Sequence, residues 1–343
     1  MNSMSTLMNA FFSNVNHYHA QLPYNLSWQI RPKGALLSYL ESHSIRVMDV
    51  GARGGSVPEL NPLEALVDYV AFDADDKEAL RLSSGTHPYA RYRIFPHFIG
   101  EAEGNIPFYL YQSPGESSCL EPNIRYQSEF DPSFKIRETV TVNTQALDDV
   151  LNRESLAAPD FLKIDVQGMT LSVLKGAEQN LGTIPLIEVE SEFYRMYEGQ
   201  SLFYETGQYL DQKGYVLLYM NRVFSSRSVY DGDSRGQILF FDALFGLDVV
   251  SAGKLPVDSL IKYTILLIQY GHRDFASELI RTYPVIGETI ENIADFLPQS
   301  STSLLGKVVR RLWMQVDKVI AFLLFARKTN HLHHDSDRSW PIR

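Results

Sequence analysis

Val47-Met48-Asp49-Val50-Gly51-Ala52-Arg53-Gly54-Gly55 reads as a short buried strand running straight into a glycine-rich turn. Ile45, Val47 and Val50 are β-branched and apolar, which suits a strand covered on both faces in a parallel sheet. Gly51, Gly54 and Gly55 permit positive φ and leave backbone bare for a ligand to approach. The glycines alone would fit a plain structural turn. Two further apolar stretches that also end on acids shift the reading. Tyr69-Val70-Ala71-Phe72-Asp73-Ala74-Asp75 places Asp73 roughly 20 residues past the turn, where a carboxylate can accept hydrogen bonds from ribose hydroxyls. Asp160-Phe161-Leu162-Lys163-Ile164-Asp165-Val166-Gln167-Gly168 ends on Asp165. Open α/β sheets bind ligands beyond the carboxyl ends of their strands. Asp49, Asp73 and Asp165 are therefore expected to face one crevice. The turn runs G-x-x-G-G rather than G-x-G-x-x-G, which disfavours a pyrophosphate and favours a nucleoside without phosphates.

Four segments together carry a family resemblance. They are Asp49–Gly55, Ala71-Phe72-Asp73-Ala74-Asp75, Phe161–Gly168 followed by Leu174-Lys175-Gly176-Ala177, and Met196-Tyr197-Glu198-Gly199-Gln200. In these the chain resembles the FkbM-type methyltransferases over about residues 45–245. The resemblance implies a class I methyltransferase Rossmann-like fold: an α/β architecture with a mostly parallel sheet and an antiparallel C-terminal strand. It also implies S-adenosylmethionine as cofactor and a hydroxyl as acceptor, on a sugar, glycan, glycolipid or secondary metabolite. On this reading Asp73 and Ala74 hold the ribose, and Ile99 and Gly100 lie near the adenine. Gly51, Ala52, Arg53, Gly54 and Gly55 pass under the methionine part, with Asp49 and Asp165 close by. The family usually has Glu where this chain has Gln167. Asp165, Glu190 and His97 are the candidate general bases, and no metal is called for. A NAD(P)-dependent oxidoreductase or a non-catalytic nucleoside-binding module would share the same plan.

The net charge of −10 argues against a nucleic-acid partner, because phosphate binding needs a basic surface. Cys119, the single cysteine, has no intrachain disulfide partner, which fits a cytoplasmic protein. Residues 1–33 are read as an N-terminal arm, 34–247 as the Rossmann-like domain and 248–343 as a C-terminal helical extension. Leu305, Val309, Leu312, Val316, Val319 and Leu323 form a heptad-like seam. Leu304 to Arg343 carries eight Lys or Arg against three Asp or Glu. That helix is a candidate for a homodimer contact, or for a peripheral contact with the inner face of an anionic membrane.

Between these landmarks the sequence predicts one strand over Arg91–Gly100, strands over Gly104–Gln112 and Val140–Val142, and a helix over Thr144–Arg153 with Thr144 as N-cap. It predicts helical segments over Gly168–Leu181, Lys254–Tyr283 and Pro284–Leu297. Ile184–Glu192 reads as a strand with Glu188, Glu190 and Glu192 on one face. Tyr194, Arg195 and Tyr197 are expected to wall the acceptor pocket.

Overall fold

The computed structural model describes residues 30–53, 57–74, 76–232, 234, 236–290 and 293. The heptad-like seam, most of the N-terminal arm, and Gly54, Gly55 and Asp75 lie outside the described residues.

Ten strands follow in chain order: β1 Ile45–Val50, β2 Val67–Phe72, β3 Arg91–Phe95, β4 Phe98–Gly100, β5 Gly104–Tyr111, β6 Ile136–Ala146, β7 Phe161–Ile164, β8 Leu186–Glu192, β9 Tyr215–Ser225 and β10 Gln237–Leu247. Seven of them form one sheet in the order β3-β2-β1-β7-β8-β10-β9. Its pairs are parallel except those made by β10, which runs antiparallel between β8 and β9. This is the class I methyltransferase plan. The central strands β1, β2 and β7 are mostly apolar and almost wholly buried, as a sheet covered on both faces requires, and β8 is just as buried although it carries Glu188, Glu190, Ser191 and Glu192. The chain order reverses at β1, which has β2 on one side and β7 on the other. A crevice opens at such a switch point.

The third strand expected over Arg91–Gly100 is two strands. Pro96 has no N–H to donate, and the chain leaves the large sheet there. β4 then joins β5 and β6 in a second sheet of order β4-β6-β5. Thr144 is not a helix cap: it lies inside β6, where its hydroxyl bonds the Ala102 carbonyl, and the helix starts at Leu147. The helix after β7 is also broken, into Thr170–Gly176 and Glu178–Leu181. A Cβ on Gly176 would collide with the Gly100 carbonyl, so glycine lets this helix end lie directly on β4.

The predicted helix over Lys254–Tyr283 divides into Val257–Gln269 and Arg273–Thr282 at Gly271, which sits at φ +86°. Val257–Gln269 packs into the same hydrophobic core as the sheet, and its residues from Ser259 to Gln269 are buried. Buried ions fasten it. Lys262 lies 3.4 Å from Asp160 and 2.7 Å from Asp258, and Arg46 grips the fully buried Asp160 at 2.6 Å. Among the described residues, no helix is long and apolar enough to cross a membrane.

Candidate active site

A cavity of about 230 Å³ opens at the carboxyl ends of β1, β2 and β7. Val50 and Gly51 form its floor, Phe72, Asp73 and Ala74 one side, and Asp165, Val166 and Gln167 the other. His97, from the link into β4, and Phe98, Ile99 and Phe108 of the second sheet close it, and the turn Pro114, Gly115 and Ser117 completes the wall. The switch point thus brings Asp73 and Asp165 into one hollow.

Gly51 makes this close approach feasible. It sits at φ +86°, and any Cβ there would strike the Asp165 carbonyl. The turn also folds back on its neighbour, because the N–H groups of Gly51 and Ala52 donate to the Phe72 carbonyl at 2.9 and 3.0 Å. These two amides are therefore already spent. Arg53 lines the cavity, whereas Ala52 is buried beneath it.

Asp49 does not line the cavity. It is 2% exposed, accepts a 2.5 Å hydrogen bond from the Tyr69 hydroxyl and lies 3.6 Å from the Lys163 ammonium. Lys163 also lies 3.5 Å from Asp165, so one half-hidden cation serves two acids. Gly100 is likewise set back, against Thr144 and the end of the Thr170–Gly176 helix.

The carboxylates are joined by a side chain that the sequence marked as a departure. Gln167 donates its amide to Asp165 at 3.1 Å and to Glu190 at 2.6 Å, and accepts from the Tyr197 hydroxyl at 2.9 Å. Its backbone is held at φ +50°, uncommon for a residue with a Cβ. The Ser118 hydroxyl secures it by donating to its carbonyl at 2.7 Å. Glu190 reaches the cavity through Gln167 rather than lining it. Although Glu190 keeps an exposed edge, burial raises its carboxyl well above the usual range, and Asp165, Glu192 and Asp242 push the same way against Lys163. Glu192 is buried, and desolvation lifts it to about 8. Glu188 accepts from the Tyr270 hydroxyl at 3.2 Å on the helix side of the sheet.

His97 lines the cavity, and burial followed by the Arg153 charge lowers its pKa. Arg153 Nη2 stands 3.2 Å from His97 Nε2. A guanidinium can only donate, so that nitrogen is the acceptor and its lone pair is engaged. Tyr194, Arg195 and Tyr197 do not wall the cavity. Tyr197 is fully buried behind Gln167, and Tyr194 bonds Glu129 at 3.0 Å.

The fold and this hollow define a class I S-adenosylmethionine-dependent methyltransferase. The family model described as the methyltransferase FkbM domain matches residues 49–217. Over that segment the chain resembles the FkbM methyltransferases. The 2-O-methyltransferase NoeI of Sinorhizobium fredii is 26% identical over 171 residues, spanning 48% of this chain and 70% of that protein. Among solved structures, a precorrin-6y C5,15-methyltransferase from Geobacter metallireducens GS-15 aligns at a TM-score of 0.33 and 12% identity, over 61% of this chain and 84% of that one. The magnesium protoporphyrin IX methyltransferase ChlM of Synechocystis PCC 6803 aligns at 0.30 and 11%, over 62% and 77%.

The cavity suits the cofactor on its own chemistry. Acids on two sides fit a cationic sulfonium nucleoside with a ribose diol, and the bare Cα of Gly51 lets Asp165 pack close against the turn.

Proposed function

We propose that the protein methylates a hydroxyl oxygen of a sugar or sugar-bearing acceptor. The carrying observation is that Asp73 and Asp165 enter one cavity from β2 and β7 on either side of Gly51. Asp73 accepts the ribose hydroxyls of the cofactor, and Ala74 and Ile99 flank the nucleoside. The bound sulfonium supplies an already activated methyl group, so alignment of the acceptor accounts for much of the acceleration. Asp165 takes the hydroxyl proton, being the carboxylate that both lines the hollow and is aimed by Gln167 and Lys163. Glu190, behind Gln167, is the next acid along, and His97 is disfavoured as base because Arg153 occupies its lone pair. Phe108, Pro114 and Ser117 form the acceptor side, an apolar surface with one hydroxyl that matches a sugar ring. The name of the relative NoeI, a 2-O-methyltransferase, supports oxygen as the methylated atom.

Asp73→Ala is expected to abolish S-adenosylmethionine binding in calorimetry while circular dichroism stays native. Asp165→Asn is expected to bind the cofactor and lose transfer of labelled methyl to a panel of glycans. Unchanged cofactor affinity in the first variant would overturn the site.

A further inference from the structure

We propose a second ligand site, for the phosphate group of a small molecule, in a hollow on the amino halves of β1, β2 and β3. This hollow, of about 220 Å³, is lined by Arg46, Met48, Asp68, Val70, Arg91 and Arg93, with residues 155–157 forming its rim. It shares no lining residue with the cofactor cavity, which opens at the opposite ends of the same strands.

Strand register explains how three cations meet. Arg46 pairs with Asp68, Asp68 with Arg91, and Val70 with Arg93, so alternate residues of three neighbouring strands share one face. Arg93 Nη2 reaches both oxygens of Asp68 at 3.1 Å, and Arg91 stands 3.6 Å from the same carboxylate. One acid thus serves two guanidiniums. Arg46 is held from behind by Asp160, which Lys262 also approaches at 3.4 Å. The lining therefore carries surplus positive charge in a chain whose net charge is −10.

The Nε–H of Arg93 is buried and has no acceptor among the described residues. Guanidinium edges fit the oxygens of phosphate with paired, charge-assisted hydrogen bonds. The floor is apolar, with Met48 and Val70 nearly inaccessible, and the hollow exceeds what a bare anion needs. A phosphate carrying a compact organic group fills both parts. Ser155, at φ +51°, turns the chain so that residues 155–157 wall the outer side.

Calorimetry on the full chain with inorganic phosphate, glucose 6-phosphate and glucose tests this. Both phosphates are expected to bind saturably and glucose not at all. Tighter binding of the ester identifies a phosphorylated metabolite, and tighter binding of the free anion identifies phosphate itself. R93Q, in which Arg91 still neutralises Asp68, is expected to weaken binding roughly tenfold or more. D68N releases both guanidiniums and is expected to tighten it. S-adenosylmethionine affinity should be the same in all three proteins, which separates this hollow from the cofactor cavity. No saturation on the order of 10 mM phosphate, or wild-type affinity in both R93Q and D68N, would overturn the proposal.

Discussion

Gln167 stands where three polar side chains need a neutral partner. Its amide gives one N–H to each of two carboxylates, and its carbonyl takes the Tyr197 proton. A carboxylate here could give neither hydrogen bond and would add charge beside Asp165 and Glu190. Gln167→Glu is therefore expected to raise the pKa of this group and move the acid limb of the pH–rate profile upward, with activity partly restored at alkaline pH. A profile that only scales down, without moving, would refute the bridging role. Glu192 allows a stability test. Its folded pKa of about 8 lies above its ordinary value of 4.5, so the folded state holds a proton that the unfolded chain has released. Stability should thus fall as pH rises from about 5 to 8, by at most about 5 kcal/mol. Glu192→Gln should flatten that slope in urea titrations across this range. A slope equal to wild type would show that Glu192 ionises freely in the fold.

Strand ends were legible because an apolar β-branched run closing on an acid is a local signal: Asp73 and Asp165 reach the cavity for that reason. Asp49 carries the same local signal and is nonetheless buried, because Tyr69 from the adjacent strand and Lys163 draw it under the floor. Those contacts depend on strand register, which no short window contains. The split at Pro96 could have been read from proline alone, yet its effect, a transfer of chain from one sheet to another, is tertiary. Tyr197 was legible as an aromatic near the site, but its hydroxyl partner, Gln167, came from the turn after β7. Gly176 belongs to this scale too. The helix end rests on β4 because nothing projects from Gly176, and Gly176→Ala should destabilise by about 2–3 kcal/mol. A denaturation midpoint within error of wild type would mean that β4 can give way.

At the scale of the whole molecule, the residues from Val257 to Gln269 act as one face of the domain. The Asp160, Arg46, Lys262 and Asp258 cluster ties that face to the starts of β1 and β7, and Gln269 accepts from the Ile30 amide at 2.9 Å. The family match stops at residue 217, inside β9, before β10 has been made. Since β10 lies between β8 and β9, a protein cut at that point would keep β8 with the hydrogen-bonding edge that β10 covers left open. A fragment of residues 30–217 is expected to precipitate on expression, and one of residues 30–293 to stay monodisperse by light scattering. The recognisable stretch thus stops short of a strand its own sheet needs, because β10, which pairs with β8, lies beyond residue 217.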